Sequence, residues 1–281
     1  MPDMTPAGEQ PELPLGTFVI LRDLIRDRIG VSFEDEKRDL LGSKLTDRVR
    51  DLKLDSFLDY YYLLKYGPGS DEEWPHLTDA LSVQETYFWR EHEQVRALVD
   101  VLVPQHVAAG RGPVRVWSAA CATGEEPLSI AIALNEAGWF DRADVEVWAS
   151  DVSPAALEKA RRGVYRERSF RVLPPHLREK YFAPAEGGTK VAPELHARVQ
   201  FRPANLLNAD DTRALAAAPF IFCRNVFIYF SAATVARVVR GFAERTPAPA
   251  YLFTGAAESL LRVASAFQLE EIAKAFVYVK R

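Results

Sequence analysis

The side chains best suited to chemistry in this 281-residue chain gather at the ends of short apolar runs. The richest stretch is residues 114–133, VRVWSAACATGEEPLSIAIA. Its first residues are apolar and β-branched, which predicts a buried strand. Ser118, Ala119, Ala120, Ala122 and Gly124 follow, and residues 125–134 predict a helix. Small side chains at a strand-to-helix turn let the backbone approach a ligand closely, with helix N–H groups facing it. A dinucleotide fingerprint needs three spaced glycines, and only Gly124 is present here. Glu125 and Glu126 would also repel a pyrophosphate at that helix start. A cofactor that carries positive charge and no phosphate fits better, and S-adenosylmethionine is the candidate. An ordinary strand-to-helix turn is the alternative.

Other polar groups fall where such a cofactor would need them. Ligands of an open, mostly parallel sheet lie across the carboxyl ends of its strands. Asp151 ends a predicted strand, where a carboxylate can accept both ribose hydroxyls of an adenosine. The competing role is helix capping, but Ser153 is the better cap. Asn205 and Leu206 follow a third strand and could hold an adenine edge and face, or simply form an asparagine turn. Cys223, Arg224 and Asn225 end a fourth strand, and Tyr229 lies four residues on. The five histidines show no ligand spacing, and no Ser/His/Asp set is readable, so no metal is expected.

The elements that must position these groups fall into two kinds. Residues 1–15 hold four prolines and no periodicity, as expected of a flexible leader. Residues 16–82 read as a small all-helical domain. Phe18, Leu21, Leu24, Ile25 and Ile29 share one helix side, and Ser32 with Asp35 reads as a capping box for the next helix. In that helix Lys37, Lys44 and Arg48 form a cationic stripe beside the apolar face. From residue 114 strands alternate with helices, which predicts a doubly wound, mostly parallel sheet. A hairpin of residues 267–272 and 276–279 closes it, and residues 181–200 interrupt the alternation as a small insert. The net charge of −4 argues against a general nucleic-acid binder. Two distant cysteines and no signal or membrane-length apolar run point to an intracellular chain.

Six blocks then occur in order: QETYFWRE (84–91), AACATGEEPLSIA, ASDVSPAALEKARRGVY, VQFRPANLL, FCRNVFIYF and FTGAAESL. Together they resemble the CheR-type chemotaxis-receptor glutamate O-methyltransferases over nearly the whole chain. The resemblance implies a class I S-adenosylmethionine-dependent methyltransferase fold, α/β and Rossmann-like. Its seven-stranded sheet would have order 3-2-1-4-5-7-6, with a helical N-terminal domain and a β-subdomain insert. Residues 83–105 would link the two domains and contact the cofactor, and residues 106–281 would be catalytic.

Residue by residue, Thr86 and Arg90 match cofactor contacts, and Gln84 stands where asparagine is usual. Glu125 and Asp151 match the acidic positions that hold the methionine and ribose parts. Asn205, Leu206 and Asn225 match the adenine end, and Arg224 adjoins them. Arg90 and Tyr229 match residues near the transferred methyl. Ala120 stands where glycine is usual, in AACAT for AGCST.

The implied chemistry asks little of acids and bases. A glutamate side chain, with a reference pKa of ~4.3, is already the nucleophile at neutral pH. Catalysis would rest on in-line positioning, which can be worth ~7–11 kcal/mol. The implied partner is the cytoplasmic helical domain of methyl-accepting chemotaxis receptors, met by a bacterial cytoplasmic monomer. Lys37, Lys44, Arg48 and Arg50 would dock its acidic helices. S-adenosylhomocysteine would be the product. The insert looks short for gripping a receptor tether, so methylation without one is expected. Methylation of a non-receptor protein or small molecule, and a catalytically weak cofactor-binding signalling module, remain alternatives.

Overall fold

The structure, a computed structural model, describes residues 12–261, 263 and 266–281. Residues 1–11 of the expected leader lie outside the described residues. The chain divides into two compact units, Met1–Ser82 and Val83–Arg281.

Among its described residues the first unit holds four α-helices: α1 (Leu15–Ile29), α2 (Arg38–Asp51), α3 (Phe57–Tyr66) and α4 (Ser70–Leu81). Helix α1 buries Phe18, Leu21, Ile25 and Ile29 and stops at Gly30, whose φ of 87° lets its N–H reach Arg26 O. Ser56 caps α3 by accepting the Asp59 N–H. The capping box expected from Ser32 and Asp35 does not form. A single 3₁₀ turn, Asp35–Lys37, precedes α2 with no side-chain cap, and Asp35 instead accepts a hydrogen bond from Arg22 of α1. At the centre of the unit, buried Glu73 accepts two bonds from Arg48, 2.9 and 2.6 Å long, and one of 2.7 Å from Tyr60 Oη.

The second unit opens with α5 (His92–Ala97), a π-helical segment (Leu98–Leu102) and α6 (Val103–Ala108). Strand β1 (Val114–Ala119) leads to α7 (Glu125–Glu136) and α8 (Trp139–Arg142), then β2 (Val145–Asp151) to α9 (Pro154–Arg162). Next come β3 (Val164–Tyr165), a 3₁₀ turn (Glu167–Phe170), α10 (Pro175–Tyr181), β4 (Phe182–Ala185), β5 (Gly188–Val191) and α11 (Pro193–His196). The chain then runs through β6 (Val199–Pro203), α12 (Ala209–Arg213), β7 (Phe220–Phe222), a 3₁₀ turn (Phe227–Tyr229), α13 (Ala232–Arg245) and β8 (Ala250–Phe253). It ends in the hairpin β9 (Gln268–Ile272) and β10 (Ala275–Lys280).

Seven strands form one sheet in the order β6-β2-β1-β7-β8-β10-β9, parallel except for antiparallel β10. Counted along this sheet alone, that is 3-2-1-4-5-7-6, the order the resemblance implies. Alternate residues of each strand point to opposite faces, and both faces are covered. Val116, Phe220 and Phe222 pack with Leu128 and Ile132 of α7, whereas Trp117, Ile221 and Leu252 pack with Val238 and Phe242 of α13. Burial on both sides explains why these strands read as continuous apolar runs. The insert is the hairpin β4–β5, which also recruits β3 into a three-stranded antiparallel sheet, β3-β5-β4.

Candidate active site

The strand order reverses between β1 and β7, the place where doubly wound sheets bind their ligands. The loops after β1 and β7 and the 83–91 segment meet there.

The loop after β1 carries Ala120 (φ 60°), Ala122 (φ 48°) and Gly124 (φ 96°), three left-handed residues within five positions. A Cβ at Gly124 would lie 3.0 Å from Ala160 Cβ and 3.1 Å from Tyr165 Oη, so α7 starts tight against α9. Asp151, 8% exposed at the end of β2, accepts the Ala122 N–H at 2.8 Å and the Ser153 N–H at 2.9 Å. Its carboxylate therefore pins the strained loop from behind. Such strain clusters where a backbone must be held for a ligand.

The loop after β7 carries Arg224, whose side chain is 2% exposed and whose Nε lies 2.8 Å from Glu126 Oε2. It also donates to Arg90 O at 2.7 Å and to Gln94 Oε1 at 3.2 Å. Asn225 (φ 60°) follows, its N–H bound to Glu258 at 2.7 Å. Segment 83–91 is anchored by the Trp89 N–H on Ser129 Oγ and by Phe88, which packs among Tyr165, Phe170 and Phe182.

Thr86, Arg90, Ala120, Arg224 and Asn225 thus line one cleft with Glu126, with an empty volume of about 550 Å³ including its open mouth. Burial raises the pKa of Glu126, opposed by Arg224 and by the Ser118 hydroxyl. Burial also pushes up the Cys121 and Cys223 thiols, which stay protonated. Tyr229 is half-buried in its 3₁₀ turn; burial raises its phenol, and the Arg90 charge pulls it down.

Other expected residues lie elsewhere. Glu125, buried and with its pKa raised by that burial, accepts from Thr123 Oγ1 and Ser169 Oγ. With Gln84 it lines a second hollow beside Lys159 and Arg168, and Gln84 accepts from Lys159 there. Successive helix residues differ by about 100° in direction, so of the glutamate pair it is Glu126 that lines the cleft. Asn205 makes the asparagine turn, its Oδ1 accepting the Leu207 N–H at 2.9 Å. Leu206 lines a separate groove along α13. In the helical unit Lys37 and Arg50 are exposed, but Lys44 donates to Ala80 O and Arg48 is held by Glu73. Among the described residues no group of three His, Cys, Asp or Glu could hold a metal ion.

Residues 84–276 match the family model of the CheR methyltransferase S-adenosylmethionine-binding domain, and residues 17–82 match its all-alpha domain. The chain belongs to this family. A chemotaxis protein methyltransferase 2 of Vibrio cholerae is 34% identical, covering 94% of this chain and 92% of its own. Chemotaxis protein methyltransferases of Klebsiella aerogenes and Escherichia coli are 37% and 36% identical, covering 92% and 90% of this chain and 88% and 87% of theirs.

The methyltransferase's cofactor is S-adenosylmethionine, and the cleft's donor set suits it. An arginine and a half-buried carboxylate share one wall, matched to a ligand that carries carboxylate, ammonium and sulfonium together. The left-handed loop beside them lets a large ligand lie against bare backbone. Glu126 and Gln94 were not predictable as site residues. The only sequence signal for Glu126 is its place beside Glu125 at a helix start, and Gln94 has none.

Proposed function

We propose that this methyltransferase esterifies glutamate side chains on the cytoplasmic helical domain of methyl-accepting chemotaxis receptors. The observation that carries this reading is the state of the titratable groups lining the cleft. Glu126 pairs with Arg224 and Glu85 with Arg171, Cys121 is held as the thiol by burial, Tyr87 lies under the Arg90 and Arg171 guanidinium groups, and Arg90 stands as a half-buried cation at the wall. Hydroxyl or ammonium acceptors must first lose a proton; a carboxylate arrives ionised. Bound S-adenosylmethionine supplies a sulfonium methyl group to such an oxygen and leaves as S-adenosylhomocysteine.

The chain's own residues would bind, orient and exclude water. In this reading Glu126 takes the cofactor's ammonium, Thr86 and Arg90 its carboxylate end, and Asn225 and the loop at Ala120 its body. Asp151 serves the ribose through its carboxylate and through the loop it pins. Gln84, Glu125, Asn205 and Leu206 form the surround. Arg90 and Tyr229 flank the incoming carboxylate. A guanidinium that binds it too tightly would blunt the nucleophile, so orientation rather than neutralisation is the expected role. Lys37 and Arg50 are the cations left to meet an acidic receptor face, in a bacterial cytoplasm and without a receptor tether. No helix among the described residues is long and apolar enough to cross a membrane.

The test is transfer of labelled methyl from S-adenosylmethionine to receptor-containing membranes. The expected label sits on receptor glutamates and is released as methanol by mild base. Base-stable label, or label on another protein, contradicts the reading. Lys37→Glu with Arg50→Glu should raise the receptor KM and leave S-adenosylhomocysteine affinity unchanged.

A further inference from the structure

Glu258 belongs to the loop after β8, to which the reading above assigns no task. The residue is 7% exposed, and its carboxylate accepts four backbone N–H bonds. Asn225 and Gly255 donate to Oε2 at 2.7 Å each, and Phe227 and Ile228 donate to Oε1 at 2.7 and 3.3 Å. The N–H groups of Phe227 and Ile228 open a 3₁₀ turn and have no partner within it. A carboxylate there makes charge-assisted bonds, stronger than neutral ones.

The contact is also part of a closed ring. The Glu258 carbonyl accepts from Thr254 Oγ1 at 3.1 Å, and Thr254 O accepts from Gln94 Nε2 at 2.8 Å. Gln94 Oε1 accepts from Arg224, which pairs with Glu126 on the cleft wall. Packing at the same corner points the same way. A Cβ at Gly255 would fall 2.4 Å from Asn225 Nδ2 and 2.9 Å from Glu258 Oε2, so the side chains of this corner leave no space for one.

We propose that Glu258 is a positioning residue of the active site: its carboxylate fixes the 225–229 turn, and through it the Asn225 amide and the Tyr229 phenol. The claim rests on the reading that Asn225 serves the cofactor and Tyr229 the acceptor. Glu258→Gln keeps the shape and replaces one oxygen by an NH₂ that faces two donors. Stability would fall in either case, so the decisive readouts are taken on folded protein, far below its melting temperature.

The full chain is compared as wild type, Glu258→Gln, Gly255→Ala, and Val238→Ala as a core truncation in α13. Circular dichroism, S-adenosylhomocysteine calorimetry and receptor methylation are measured on each. In Glu258→Gln, kcat is expected to fall about 10²-fold, as for a misplaced reacting group. Product affinity is expected to weaken about tenfold, the worth of one charge-assisted hydrogen bond. Val238→Ala should lose thermal stability and keep both values. A Glu258→Gln protein that melts earlier yet keeps kcat and affinity within about twofold overturns the proposal. If Glu258→Gln does not fold, Gly255→Ala strains the same corner with the carboxylate kept, and its indifference in both readouts overturns the proposal equally. If the wild type methylates no receptor, the proposed function fails by itself, and the product affinities still decide the role of Glu258.

Discussion

Ala120 shows how much a single residue position can carry. It sits at φ 60° in the loop that faces the cleft, where a Cβ costs about 1–2 kcal/mol. Asp151 holds the adjoining Ala122 in place, so the strain persists. Ala120→Gly should relieve it and, after the entropy that glycine loses on folding, raise stability by up to about 1 kcal/mol. Chemical denaturation measures this, and a loss of stability would mean that the Ala120 methyl packs usefully. The need for small residues here was readable from composition alone, because bulky side chains cannot follow a strand into such a turn. The choice between Glu125 and Glu126 was not readable. Both are acidic and adjacent, and only the rotation of α7 sends one to the cleft and the other to Ser169.

At the scale of elements, α2 was expected to present one cationic stripe, and the structure divides it. Arg48 is 20% exposed and makes two bonds to Glu73, which is 3% exposed in α4. The Glu73 bond raises the pKa of the guanidinium, and burial raises that of Tyr60, which donates to the same carboxylate. Removing one partner of a buried pair strands the other charge, so Arg48→Ala should destabilise the helical unit by about 3–5 kcal/mol. Arg50→Ala, at an exposed pair with Asp47, should cost at most about 1 kcal/mol. Equal effects in denaturant unfolding would contradict this division of roles. Periodicity places both residues on α2, but it is blind to Glu73, 25 residues away. The strands were legible for the opposite reason: burial on both faces writes itself into sequence as apolar runs. Their order was not, and it came from the resemblance. The role of Glu258 was equally hidden, because its partners lie in another loop with no periodic relation to it.

On the scale of the whole molecule, the predicted division of labour is between a helical unit that meets the substrate and an α/β unit that holds the cofactor. Everything assigned to the cofactor lies within Val83–Arg281. Three neighbouring strand ends, those of β2, β1 and β7, supply Asp151, the 120–126 loop and Arg224–Asn225 to one region. The measurement that tests this most directly is calorimetric titration of S-adenosylmethionine and S-adenosylhomocysteine into the full chain, with Asp151→Ala alongside. Loss of the Asp151 carboxylate removes the hold on Ala122 as well as any ribose contact, so both terms weaken binding. The account predicts micromolar or tighter binding by the wild type, falling at least about 10²-fold in the variant. Binding that survives in Asp151→Ala would contradict the placement of the pocket, and no binding by the wild type would contradict the site itself.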